Sequence, residues 1–199
     1  MKPFRSSIPV RTCQKKYKKY SSYKSYLRLD FRKRCGYCND IDILCGGSRG
    51  FHIDHFRPQD SFSHLENEYG NLVYACPYWN GAKSNDWPSG DENITVLADG
   101  SGYLDPCDAD FDNHFERYDH GHIHPKTSLG KYMYKKLKLG LRRHQLALAY
   151  EQLEMLLKEL DSELEKIHHD GDEYIEALKQ HRRLTSEFFK YKSMFEETI

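Results

Sequence analysis

No stretch of this 199-residue chain approaches the roughly 18–20 apolar residues that a membrane-spanning helix needs, so no membrane span is expected. The N-terminus, MKPFRSSIPVRTC, is basic but lacks the apolar run of a secretory signal, and the expected location is the cytoplasm. There is no internal repeat, and no low-complexity tract beyond the basic first segment. Acid is almost missing from that segment: residues 1–34 carry Asp30 alone against twelve Lys and Arg, a net of +11. Residues 35–120 reverse the balance, with Arg49, Arg57, Lys83 and Arg117 against sixteen acids, a net of −12, and the remainder carries +1. The formal charge of zero thus hides a basic segment beside an acidic one. That asymmetry suggests an anionic polymer held by the first and metal held by the second. A merely solvated lysine-rich tail is the plainer alternative.

The cysteines, at 13, 35, 38, 45, 76 and 107, are enough for three disulfides. In a reducing compartment such bridges do not persist, so metal binding or simple burial is the expected use.

The pattern divides the chain into three segments: a basic N-terminal arm or helix at 1–34, a core with a loop extension at 35–125, and a helical region at 126–199. In the first, Tyr20, Tyr23, Leu27 and Phe31 recur at 3–4 residue spacing, which predicts a helix over about Tyr17–Phe31. In the second, Phe51–Phe56 and Asn71–Cys76 read as short strands bounded by turn formers. Pro77–Asp86 reads as a short helix that Trp87-Pro88 stops. Tyr103–Thr127 reads as a hairpin or loop, with HGHIHP as turn and second arm. In the third, Leu137, Leu141, His144 and Leu148 begin an apolar stripe that Leu153, Leu157, Leu160, Leu164 and Ile167 continue. The break HHDGD, with Asp172 as a helix cap, separates it from a second helix at about Glu173–Phe195. The two predict an antiparallel hairpin that either covers the core or receives a partner.

Four pieces stand in order: Cys35-Gly-Tyr-Cys38, His52-Ile-Asp54-His55-Phe-Arg57-Pro58, Gly70-Asn71-Leu72, and Cys76-Pro-Tyr-Trp79-Asn80-Gly-Ala-Lys83. Singly, each has an ordinary reading as a surface histidine, a turn asparagine or a helix-surface residue. Together, over Cys35–Asp86, they resemble the HNH endonucleases, with their acid–histidine pair on the first strand, central asparagine, and final histidine or asparagine on the helix. The resemblance implies an α+β fold: a small ββα-metal core flanked by the basic N-terminal helix and the C-terminal helical hairpin. It implies hydrolysis of phosphodiester bonds in nucleic acid, with DNA the expected form. A histidine titrating near neutrality suits the general base, and hard oxygen ligands suit Mg²⁺ or Mn²⁺.

By that resemblance His55 is the general base, Asp54 and Asn80 bind the catalytic Mg²⁺ or Mn²⁺, and Asn71 fixes the loop that orients His55. Lys83 and Arg57 are the candidate phosphate contacts, and His52 is an accessory candidate. Adjacent residues on a flat strand point to opposite faces, so Asp54 and His55 meet at one site only if the strand ends or bulges there. Many members of the family also hold structural Zn²⁺ with two CxxC pairs. Here Cys35, Cys38 and Cys76 match, but Trp79 occupies the fourth position. Tetrahedral zinc then needs Cys107, the favoured candidate, or Cys45 or a histidine. No base-reading motif is visible, so the basic arm is expected to contribute sequence-independent affinity for the backbone. The overall form resembles the small HNH subunits of two-gene phage-defence systems such as Septu, which implies a protein partner such as an ATPase docked on the C-terminal helices. The alternatives are an inactive nucleic-acid-binding module, or an assembly protein with the core as platform.

Overall fold

The computed structural model describes residues 3–79, 83–169 and 171–198. The chain is α+β, with helices and two small antiparallel sheets, and divides into two compact units, Met1–Leu141 and Arg142–Ile199.

In the first unit the predicted N-terminal helix is shorter than its pattern. The chain stays irregular to Lys19, makes a 3₁₀ turn at Tyr20–Tyr23, and becomes helix α1 at Lys24–Asp30. Ser21 and Ser22 explain the late start, because serine hydroxyls compete for backbone groups and favour turns over helix interior. Tyr23, Leu27 and Phe31 are buried in the core. Arg32 and Lys33 then adopt positive φ of 52° and 59°, which ends the helix. Cys35–Cys38 comes next as a tight turn, with the Asn39 amide bonded to the Cys35 carbonyl at 2.9 Å. Gly36 is required there: a Cβ would lie 2.7 Å from the Phe31 ring and 2.8 Å from Val73.

Strands β1 (His52–His55) and β2 (Leu72–Ala75) pair antiparallel, with Asp54 opposite Val73 and His55 opposite Leu72. Every residue of β2 is buried, whereas β1 is only half-buried. Removing a buried side chain such as that of Leu72 costs about 2–5 kcal/mol. The expected Tyr103–Thr127 hairpin is present as β3 (Phe115–Arg117) and β4 (Ile123–Pro125), with the inward Phe115 and Ile123 in the core. Helix α2 (Ser128–Lys136) begins at Thr127, whose hydroxyl accepts from the Gly130 amide at 2.9 Å.

Two expectations need correction. The helix predicted over Pro77–Asp86 is, in its described parts, a 3₁₀ turn at Pro77–Trp79 and a turn after Lys83. Ser84 has a φ of +43°, a left-handed conformation through which a right-handed helix does not continue. Likewise, the apolar stripe from Leu137 through Leu148 does not lie on one continuous helix. Lys138 has a φ of +44°, and a Cβ at Gly140 would collide with the Tyr134 ring, so α2 ends before both.

In the second unit, α3 (Arg142–Leu164) and α4 (Asp172–Glu196) pack on each other. The Tyr150 and Phe188 rings pack tilted at 4.7 Å and Asp161 meets His181 at 2.9 Å, pairings that run in opposite directions and make the pair antiparallel. Asp172 is the first helical residue rather than the cap, which is Gly171. Asp172 and Glu173 instead place carboxylates in the first turn, where the helix dipole favours them. Among the described residues no helix is long and apolar enough to cross a membrane.

The basic segment is woven into the first unit. Phe4 is in the core, Arg5 pairs with Asp112 at 2.6 Å, Arg11 with Asp105 at 2.9 Å, and Arg28 with Asp42 at 2.6 Å. Much of the opposition between the +11 and −12 segments therefore acts inside the fold. Arg5 is 2% exposed in its side chain, and losing the carboxylate opposite it would leave a buried, uncompensated charge, a change of about 3–5 kcal/mol.

Asp86 joins α2 to the loop after β2, accepting from Lys136 at 2.6 Å, Tyr103 at 2.7 Å and Tyr132 at 3.1 Å. Burial pushes its carboxyl up, but these donors outweigh it and hold the carboxyl below its ordinary value. A depressed carboxyl contributes stability that is complete above its unfolded pKa, about 4, and is lost as pH falls through the lower folded value. Urea unfolding of Asp86→Asn should therefore show a lowered midpoint at pH 7, with the gap to wild type closing below about pH 4. An equal gap at pH 7 and pH 3 would contradict this role.

Candidate functional site

Ile53, Asp54 and His55, three consecutive residues, line one polar cleft of about 300 Å³ together with Tyr20, Pro58, Gln59, Ser84 and Asn85. A flat strand would not allow this. It is possible here because β1 ends at His55 and the chain turns under a clamp from Asn71. Asn71 is 2% exposed; its Oδ1 accepts from the Arg57 amide at 2.8 Å, and its Nδ2 donates to the Arg57 carbonyl at 3.0 Å. Its own carbonyl accepts from the Phe56 amide at 2.8 Å. One buried asparagine thus holds both residues after His55.

His55 is fixed from two sides. Its Nε2 lies 2.9 Å from the Glu66 carbonyl, and its ring meets the edge of Tyr20 at 4.8 Å. A carbonyl can only accept, so Nε2 carries the proton and, in the neutral ring, Nδ1 holds the lone pair. Asp54 is fixed by Tyr37, whose hydroxyl donates to Oδ2 at 2.6 Å. Burial, and then the neighbouring Asp54 carboxylate, push the Tyr37 phenol well above its ordinary value, so it remains a donor.

The other sequence candidates fall differently. Asn80 lies outside the described residues. Lys83, expected to touch phosphate, is only 2% exposed; its ammonium donates to the His55 carbonyl at 3.2 Å and lies over the Tyr103 and Trp87 rings at 5.4 and 5.8 Å. Burial lowers its pKa. It is a cation beneath the cleft rather than a surface contact. Arg57 donates through Nε to the Glu92 carbonyl at 2.8 Å. His52 is exposed on β1 and does not line the cleft. The sequence marks Tyr20 only as part of a helical stripe and gives Tyr37 no role at the site, since both reach it through tertiary packing.

All six cysteines are free thiols, and three of them converge: the sulfurs of Cys35, Cys38 and Cys76 lie within 4.8 Å of one another and are buried. The Cys38 and Cys76 sulfurs are 3.8 Å apart, the separation of two thiolates on one tetrahedral ion with metal–sulfur bonds of about 2.3 Å. Burial pushes the Cys38 thiol up to about 12 and raises Cys76 well above its ordinary value. Burial also acts to raise Cys35, but hydrogen bonds from the other two outweigh it and hold that thiol well below the ordinary range. Three buried sulfurs at this separation could hold a metal ion. Cys107 and Cys45 are not part of this group. Cys107 instead sits half-buried near Asp105, Arg11 and Arg5.

Elemental analysis of protein purified without added metal should find a bound ion that Cys76→Ser loses and Cys107→Ser keeps. Loss of the ion in Cys107→Ser alone would overturn this ligand set. No protein-family model matches the chain, and no curated protein matches it.

Proposed function

We propose that this chain is a metal-dependent endonuclease of the HNH, or ββα-metal, class, cutting phosphodiester bonds in nucleic acid, with DNA the favoured substrate. The observation that carries the reading is the convergence of Asp54 and His55 on one open polar cleft, each locked by a partner that leaves its reactive atom available.

The donor set fits a hard divalent ion. Asp54 keeps Oδ1 for coordination while Tyr37 holds Oδ2, and Mg²⁺ or Mn²⁺ takes one or two protein oxygens and fills its remaining positions with water and phosphate. Asn80, the second proposed ligand, completes the pair implied by the sequence. Bound there, the ion would supply Lewis-acid stabilisation of charge on the phosphate and leaving oxygen. The chain's own residues do the rest. His55 takes a proton from the attacking water at Nδ1, and its Nε2–H bond to the Glu66 carbonyl keeps the ring in the tautomer that makes this possible. Asn71 holds the turn after His55, and Lys83 holds the His55 carbonyl from beneath.

The buried thiols favour a different ion. Three sulfur ligands select a softer metal than the oxygens of the cleft, and we assign Zn²⁺ with a structural role. It would tie the Cys35–Cys38 turn to the end of β2.

A protein partner is supported by the second unit, where Met155, Leu156, Ile175, Leu178 and Phe189 are exposed. An ATPase in a two-gene phage-defence complex is the proposed partner, by analogy of overall form.

His55→Ala should abolish cleavage of plasmid DNA in Mg²⁺ or Mn²⁺, a loss of at least about 10²-fold, while far-UV circular dichroism and DNA binding stay intact. Asp54→Ala should lose activity with a raised metal requirement. A purified His55→Ala protein retaining more than about a tenth of the wild-type rate would refute the general-base assignment.

A further inference from the structure

A second concavity, of about 530 Å³, is lined by Ser21, Ser22, Lys24, Ser25, Arg28, Leu29 and Ser48. Its lining has four hydroxyls, two cations and no carboxylate. Ser21, Lys24, Ser25 and Arg28 succeed one another at the i, i+3, i+4, i+7 spacing of a single helical face. The opposite face, Tyr23 and Leu27, is buried, so the polar stripe is held outward by the core itself. Arg28 is aimed by Asp42, which accepts from its Nε at 2.6 Å and its Nη2 at 3.3 Å and is itself buried. Lys24 makes no ion pair among the described residues. The far wall, Ser48, sits on the loop Gly46–Gly50. Gly46 and Gly47 there have positive φ and no atom within 4 Å of where a side chain would stand, so the backbone is open to close approach.

The groove is next to the cleft. Tyr20 lines the cleft against His55, and Ser21, one peptide unit on, lines the groove. The two concavities therefore share one stretch of chain, the 3₁₀ turn at Tyr20–Tyr23. Hydroxyl, guanidinium and ammonium donors are among the groups that contact phosphate and sugar. We propose that this groove, walled by Ser21, Lys24, Ser25, Arg28 and Ser48, seats backbone phosphates of the nucleic-acid strand adjoining the scissile bond. The inference rests on the nuclease reading and adds which residues position the substrate. The exposed lysines at 15, 16, 18 and 19 would contribute only diffuse attraction.

The test compares Lys24→Glu and Ser25→Asp with Lys18→Glu, which makes the same charge change as Lys24→Glu at an exposed residue outside the groove. Binding of a fluorescent DNA duplex is measured by anisotropy in the His55→Ala background across a salt series. Cleavage of DNA and of bis(4-nitrophenyl) phosphate, a diester too small to span the groove, is measured in the otherwise wild-type protein. Lys24→Glu should weaken DNA binding by about tenfold or more and reduce the log–log salt slope by about one. Ser25→Asp, at an exposed position that tolerates substitution, should weaken binding in the same direction, and both should hydrolyse the small diester at the wild-type rate. Equal weakening by Lys18→Glu, or unchanged binding in Lys24→Glu and Ser25→Asp, would overturn the groove. So would a fall in small-diester hydrolysis matching the fall in DNA cleavage, because the change would then act on the cleft. A wild-type protein that cuts neither substrate would sink the nuclease reading instead, and the binding series would still decide the groove.

Discussion

Burying a strand on both faces obliges the fold to find a partner for every backbone group along it, because an unpaired buried amide or carbonyl costs about as much as a lost hydrogen bond. β2 imposes that obligation here. One edge is met by β1, which is how Asp54 and His55 acquire their register. On the other edge no third strand is present among the described residues. The Leu72 carbonyl accepts from the Arg11 guanidinium at 2.9 Å, and the Tyr74 carbonyl accepts from the Gly36 amide at 2.9 Å. The basic segment and the cysteine turn are thereby attached to the same strand that orders the cleft.

From this strand the two chemical sites diverge. Its C-terminal end leads to Cys76 and the buried sulfurs; its N-terminal end begins at Asn71, the clamp behind His55. The Tyr37 hydroxyl, on the cysteine turn, reaches across to Asp54. The sulfurs and the cleft are thus connected through one side chain and one strand. An ion held by the three sulfurs would serve a physical need, because a small, loop-rich unit with two-stranded sheets has little else to hold an edge in place.

The basic segment has two roles that composition merges. Arg5 and Arg11 are directed inward onto acids of the next segment, whereas Arg28 pairs with Asp42 and also lines the groove. Lys24, with the serines around it, faces out. Net charge along a sequence cannot separate these, because the division depends on which residues the Tyr23–Leu27–Phe31 face carries with it into the core. The same holds for Lys83, whose position one turn after Asn80 suggests a phosphate contact and whose burial makes it a support for the His55 carbonyl.

Local pattern alone determined a good deal. The turn formers around FHIDHF and NLVYAC placed the two strands, the 3–4 spacing of leucines placed the first C-terminal helix, and the HHDGD break separated it from the second. The CxxC spacing brings the Cys35 and Cys38 sulfurs onto one side of a tight turn, and the resemblance to the HNH endonucleases added Cys76 to them. These features depend on neighbours in sequence, which composition and period record. The tertiary structure alone decided matters that depend on distant pairs: that β1 ends where Asp54 and His55 can share a cleft, that Tyr37 and the Glu66 carbonyl hold them, and that Cys107 stays apart from the three sulfurs. Helix ends belong to the same class. Lys138 and Ser84 take left-handed conformations that no propensity at those residues requires, set by the packing of the chain on either side. Contacts between residues tens of positions apart carry no period, so the sequence holds their ingredients without recording their geometry.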